Sequence, residues 1–256
     1  MSEYSEAYRR RRPDPRLVEA LTHHLPSPPS RLLDLGSGPG NYTALFAQRG
    51  YDVLALDKSL DMLVDVPDTF APSRICADAD CLPLRDGEVD SVVCILALHQ
   101  FKDWRTALRE CVRVSRSFSI CLVVFDRQSP QEFWLTDYFP SVWRNAYSHT
   151  PTCTEIAEHL QSLSGHATSI TVFPISRDFI DMWLVAGWCR PELYLSAEYR
   201  AANSSFARAD VTEVNAGLRR LEYDMRSGQW RQRYGGIMNL TSYDAGYRII
   251  TTNRRR

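Results

Sequence analysis

The stretch LLDLGSGPGNYT, Leu32 to Thr43, constrains the fold more than any other part of the chain. An apolar run ends in three glycines within five positions, and a helix-like segment, NYTALFAQRG, follows at once. A buried strand running into a turn without side chains lets ligand atoms approach the main chain, and the helix start adds N–H groups.

The segments downstream keep the alternation. DVLALD reads as a second buried strand, SLDMLVDV as helical, RICAD as a short strand and VDSVVCILAL as a long one. DWRTALRECVRVSR is an amphipathic helix with Asp103 at its N-cap, and FSICLVVFD is another buried strand. Strand and helix in this order predict an α/β fold, a doubly wound, mostly parallel sheet with helices on both faces and right-handed crossovers.

The character changes after about residue 127, where aromatic residues become frequent. The expected organisation is a single domain over 1–256. Its parts are a core at 13–127, a helical connection at 128–168, a helical cap or insertion at 177–240 and a final strand at 246–252, within GYRIITT.

The formal net charge of −1 gives no general pull towards nucleic acid or membrane. Two local exceptions, Arg9 to Arg12 and Arg254 to Arg256, read as solvated ends or as nucleic-acid contacts. No window is apolar for the length of a bilayer crossing, so no membrane association is expected. The start, MSEYSEAYRRRR, lacks the apolar centre of a signal peptide, and a cytoplasmic location is expected. Cys76, Cys94, Cys111 and Cys121 lie in or beside apolar runs and are expected in the core. No His, Cys or Asp spacing suggests a metal.

Which ligand the glycine turn serves is narrowed by elimination. No Lys-Ser or Lys-Thr pair follows the glycines, which excludes a phosphate-cradling P-loop. The dinucleotide fingerprint needs a third small residue where Asn41 stands, counting from Gly36 and Gly38. Acidic residues stand instead at three strand ends: Asp34 before the turn, Asp57 after LAL and Asp78 after ICA. They repel a pyrophosphate and suit a cationic ligand with a diol and an exocyclic amine. S-adenosylmethionine (SAM) is such a ligand.

The ordered set LLDLGSGPG, ALD, ADADCLPLRDGEVDSVVCILALHQF and LRECVRVSR resembles the class I SAM-dependent methyltransferases. It is most similar to the type-11 group, which includes the menaquinone/ubiquinone and trans-aconitate methyltransferases. The resemblance covers residues 8 to 127, and it implies a Rossmann-like seven-stranded sheet whose last strand is antiparallel, with the helical insertion before it. It also implies that Gly36, Ser37 and Gly38 wrap the amino acid part of SAM, with Asp34 near its ammonium. Asp57 would take the ribose hydroxyls, Lys58 and Met62 flank the adenine, and Asp78 with the backbone at Ala79 hold the adenine amine. Leu96 would lie beside the methionine portion, and Tyr8 and Arg12 would reach the SAM carboxylate. Ser37 stands where many members have Cys or Ala.

The expected reaction is methyl transfer to a small-molecule acceptor held between the sheet edge and an aromatic cap, leaving S-adenosylhomocysteine (SAH). His99, in LALHQF, is the candidate base for a hydroxyl or amine acceptor, or else bridges pocket backbone. Gln100 orients a substrate or starts a helix. Trp188 and Tyr194 line the acceptor pocket or form the core of the cap, and Arg190 pairs with an acceptor carboxylate or lies on the surface. An RNA-directed methyltransferase and a non-catalytic SAM-binding regulator are the alternatives, and the chain is expected to be a monomer or homodimer.

Overall fold

Val, Ile and Leu dominate the strand runs because a sheet covered on both faces needs apolar side chains on both. The computed structural model describes residues 8–9, 11–67, 73–128, 133–147 and 151–252. Arg10 of the N-terminal basic run, and the tail Arg254 to Arg256, lie outside the described residues.

The chain forms two compact units. The first comprises Pro13–Asp126, Pro151–Val172 and Tyr247–Arg256. Its strands are β1 (Arg31–Leu35), β2 (Asp52–Asp57), β3 (Ser73–Cys76), β4 (Val89–Ile95), β5 (Ser115–Phe125), β6 (Thr168–Val172) and β7 (Tyr247–Thr252). They form one sheet in the order β3-β2-β1-β4-β5-β7-β6. The pairs among β1 to β5 are parallel, and β7 is antiparallel to both β5 and β6. This is the expected sheet, with its antiparallel last strand. The order reverses at β1, so the carboxyl ends of β1, β2 and β4 flank the crevice where open α/β sheets bind ligands.

The helices of this unit are α1 (Pro15–Thr22), α2 (Asn41–Gln48), α3 (Leu60–Leu63), α4 (Trp104–Val114) and α5 (Cys153–Ser164). Asp103 caps α4 as expected, its carboxylate accepting from the N–H groups of Arg105 and Thr106. α4 buries Ala107, Leu108, Cys111 and Val114, a helical spacing, in a core shared with Val92, Leu122 and Ile156. Cys94, Cys111 and Cys121 are buried, as expected. Cys76 is not: it is exposed, because β3 is the edge strand and three of its four residues face solvent.

The second unit comprises Met1–Arg12, Arg127–Thr150 and Phe173–Gly246. Its core is aromatic, with Trp134, Tyr138, Trp188, Tyr194 and Trp230 all buried. Trp134 meets Tyr194 and Trp230 edge to face, at ring-centroid distances of 5.1 and 5.4 Å. The helix Val211–Arg226 approaches Tyr138 so closely that a Cβ on Gly217 would lie 2.1 Å from the Tyr138 carbonyl oxygen. Arg11 is held by the buried Asp181, with Nε to Oδ1 at 2.7 Å. Residues 177–240, expected as an insertion, fall in this unit, which also takes in residues 127–150. No helix among the described residues is long and apolar enough to cross a membrane.

Candidate functional site

The glycine turn is braced against β2. The N–H groups of Gly36 and Ser37 both donate to the carbonyl of Leu56, at 2.8 and 3.0 Å, and that of Gly40 donates to the Ser37 carbonyl. Gly38 donates to Asp57 Oδ2 at 2.9 Å, and Ser59 donates to Asp57 Oδ1 at 2.9 Å. Gly36, Gly38 and Gly40 all have positive φ, at 74°, 56° and 78°, which L side chains adopt only under strain. The turn amides are therefore committed within the protein. What the turn leaves for a ligand is an open Cα edge at Gly38, where an added Cβ would find no atom within 4 Å. It also leaves the Ser37 hydroxyl, which is buried and has no hydrogen-bond partner.

Asp34 sits under this turn, 2% exposed, and accepts a hydrogen bond from the Thr43 hydroxyl at 2.6 Å. Burial pushes its carboxyl up to about 6; the Thr43 bond works against this, and the nearby Asp57 charge adds to it. Its partner is thus the first turn of α2.

The other expected cofactor residues of the first unit lie at the carboxyl edge of the sheet or just beyond it. Lys58 is exposed after β2, and its carbonyl accepts from the Cys76 thiol at 3.6 Å. Met62 is half-buried on α3. Asp78 is exposed just past β3, and Ala79 beside it is buried. Leu96, immediately after β4, has a left-handed backbone (φ 51°) and donates its N–H to Val123 at 2.9 Å. Such an outlier at a strand end marks a constrained site. His99 and Gln100 are exposed on the 3-10 turn Leu98–Gln100 that follows.

Sequence reasoning missed three participants: Thr43, Ser59 and Ala97, whose methyl group fills the space beside Gly36. The hydroxyl of Thr43 on the first turn of α2 was a local signal. Ala97 had none, since its contact depends on β4 lying next to β1.

The second unit corrects the acceptor residues. Trp188 and Tyr194 are fully buried and offer no surface to a substrate. Trp188 Nε1 donates to the Ile175 carbonyl at 3.0 Å, and the Tyr194 hydroxyl to the Leu184 carbonyl at 2.6 Å. Arg190 does not present a free fork to a carboxylate: its Nη2 donates to the carbonyls of Phe179 and Ala186, at 2.7 and 3.1 Å. Trp188 and Tyr194 are large apolar bodies with satisfied polar tips and so are core material, while Arg190 is half-buried and its Nε has no hydrogen-bond partner. Tyr8 is half-buried, with the Arg11 guanidinium 5.4 Å from its ring centroid, and Arg12 is exposed. No group of three or more potential metal ligands occurs among the described residues.

A family profile described as a methyltransferase domain matches residues 33–123, which spans β1 to β5 and the whole glycine-turn site. An uncharacterised methyltransferase of Mycobacterium tuberculosis is 29% identical over 185 residues, covering 72% of this chain and 74% of that protein. A demethylmenaquinone methyltransferase of Paenarthrobacter aurescens is 29% identical over 167 residues, 62% of each protein. The crystal structure of a presumed methyltransferase from an antibiotic biosynthesis pathway of Anabaena variabilis is 36% identical, with a TM-score of 0.91, covering 95% of this chain and 98% of that one. The motifs, the sheet order and these likenesses agree: the chain belongs to the class I SAM-dependent methyltransferases of the type-11 group, and SAM is its cofactor.

Proposed function

We propose that this methyltransferase acts on a small-molecule acceptor and binds SAM at the glycine turn, with Asp57 as the principal anchor. The observation that carries the reading is the Asp57 carboxylate at the end of β2, bonded to Gly38 and Ser59. Each of its oxygens accepts one backbone N–H and keeps a lone pair for a ribose hydroxyl. The unpartnered Ser37 hydroxyl and the open space at Gly38 fit the amino acid part of the cofactor. Asp78 and the backbone of Ala79 would hold the adenine, flanked by Lys58 and Met62, and Leu96 would border the methionine portion.

Bound SAM supplies a methyl group already activated by a positive sulfur. The chain's contribution is to hold the cofactor, align the acceptor and exclude water. His99 would take the proton from a hydroxyl or amine acceptor, since imidazole accepts protons near neutral pH. A carboxylate acceptor would need no base. The demethylmenaquinone methyltransferase among the relatives acts, by its name, on a small molecule, which supports the acceptor class. Seven free cysteines fit a reducing, cytoplasmic compartment.

Calorimetric titration with SAM, SAH and NAD tests the cofactor site. The parent should bind the first two and not NAD, and Asp57→Ala should weaken SAM binding by about 1–3 kcal/mol through lost charge-assisted hydrogen bonds. Undiminished binding by Asp57→Ala would remove Asp57 from the site. Salt-sensitive RNA binding together with methyl transfer to RNA would overturn the small-molecule reading.

A further inference from the structure

The seven-stranded sheet of the first unit has two outer strands, β3 and β6, and they are built differently. β3 carries Arg74 and runs straight into Asp78 and Asp80. Charged side chains on an edge keep it from adding strands. β6 has no such guard: no Asp, Glu, Lys, Arg or Pro occurs between Gly165 and Phe173. Its five residues, TSITV, form an antiparallel ladder with β7, from Thr168 opposite Thr252 to Val172 opposite Arg248, without a bulge. Thr168, Ile170 and Val172 share the face that carries α5, where the Thr168 hydroxyl donates to the Ala157 carbonyl at 3.3 Å. Beyond Thr168 that cover ends: Ile170 is 43% exposed and Val172 45%. Among the described residues no strand pairs with the outer side of β6.

We infer that β6 is the docking edge for a second copy of this chain, paired with its own counterpart across a two-fold axis at Ile170. Two identical edge strands related by a two-fold axis perpendicular to the sheet run antiparallel, so the pairing extends the antiparallel half of the sheet. An axis at Ile170 pairs all five residues. Ile170 meets the partner's Ile170, Ser169 meets the partner's Thr171, and Thr168 meets the partner's Val172. Every opposed pair is β-branched or hydroxyl-bearing, a composition that cross-strand pairs favour, and no like charges meet. About four to six main-chain hydrogen bonds form, and the exposed sides of Ile170 and Val172 are covered together. A charge-guarded strand repels its own copy, whereas this one carries nothing to repel. The guarded β3 edges are left outermost, so the assembly closes at two copies with one sheet of fourteen strands, seven from each.

Five strand residues span roughly 17 Å, and a sheet edge with its side chains is roughly 10 Å deep, so the two copies together bury several hundred square ångströms. Stable interfaces bury about 1,200–2,000 Å². The expected dimer is therefore weak and reversible, with a dissociation constant on the order of 10–100 µM. The pairing involves only β6 and does not depend on the cofactor assignment.

The experiment is sedimentation velocity on the full chain from about 1 to 300 µM, with amide exchange followed in residues 168–172 over the same range. The parent should pass from one copy to two and go no further, and exchange in β6 should slow as it does. Ile170→Lys and Ile170→Glu each set like charges opposite one another, and each alone should weaken self-association by about tenfold or more. Mixed in equal amounts, the two variants should recover the dimer, because lysine then faces glutamate. A parent that stays a single copy at the highest concentration overturns the inference. So does self-association that both variants retain in full, a mixture no more associated than either variant alone, or growth beyond two copies. Should the variants fold poorly, the parent still decides: a dimer that leaves exchange in β6 unchanged is built on another surface, and the inference fails.

Discussion

The methyl group of Ala97 occupies the place where a side chain on Gly36 would begin: a Cβ added to Gly36 would lie 2.4 Å from the Ala97 Cβ. The turn after β1 and the segment after β4, which carries His99 and Gln100, are thus packed in direct contact. Gly36 also has φ at 74°, so two independent penalties meet at one residue. Gly36→Ala should cost about 2–5 kcal/mol in denaturant unfolding, from left-handed strain and overpacking together. Adding Ala97→Gly should recover the overpacking part and leave the strain. A double-mutant cycle reads this directly, since the clash appears as coupling between the two sites. Additive effects would mean that the loop moves aside freely.

Asp57→Asn tests whether the carboxylate braces the turn. The carboxylate serves two donors, Gly38 and Ser59, one on each oxygen. An amide has a single oxygen, so one backbone N–H would face the NH₂ group. The variant should lose about 1–3 kcal/mol of stability even without cofactor. Equal stability of parent and variant in urea melts would show that these two bonds do not matter to the fold.

Asp34 sets a pH dependence of stability whose sign follows from its direction of shift. Its carboxyl is raised from 3.8 to about 6 in the fold. Below the unfolded value both states hold the proton, and the residue costs nothing. Between about pH 4 and 6 the unfolded chain ionises first, so stability falls as pH rises. Above that range the cost stays at on the order of 3 kcal/mol. Asp34→Asn removes this titration. The stability difference between variant and parent should therefore grow by that amount from pH 4 to pH 7 in guanidinium melts. A difference independent of pH would mean that Asp34 stays solvated.

What could be read beforehand divides by distance along the chain. The strand–turn–helix at Leu32 to Thr43 and the cap at Asp103 depend on neighbours a few residues away, and they form as expected. Cys76 looked apolar in its local run, but whether a strand lies at the centre or edge of a sheet is decided by pairing order. Trp188, Arg190 and Tyr194 have the chemistry of an acceptor site. The fold directs Trp188 Nε1, the Tyr194 hydroxyl and Arg190 Nη2 to main-chain carbonyls, and it makes the two aromatic residues core. The Arg11–Asp181 pair joins residues 170 apart and leaves no trace in local pattern.

The second unit owes part of its integrity to a buried carboxylate, Asp224, and Tyr138 tests it. The Tyr138 hydroxyl donates to Asp224 Oδ2 at 2.7 Å, with Arg233 at 3.3 Å from the same oxygen. Arg220 lies 4.7 Å from the Tyr138 ring centroid. Tyr138→Phe keeps the ring and the packing of Arg220, and removes only the hydroxyl. Asp224 would then be left buried with one longer ionic contact, at a cost of about 1–3 kcal/mol. Tyr234→Phe is the comparison, since it removes a similar bond, from the Tyr234 hydroxyl to the more exposed Asp137. Water can replace that bond, so the loss should be under about 1 kcal/mol. Both variants can be followed by tryptophan fluorescence during urea unfolding, because Trp134 packs edge to face on Tyr138 and lies near Tyr234. Burial also pushes the Tyr138 phenol well above its usual range, so it stays a hydrogen-bond donor through neutral and mildly alkaline pH. The difference between parent and Tyr138→Phe should accordingly be constant from pH 7 to 9, and a difference that faded there would mean the hydroxyl ionises and the bond to Asp224 is lost.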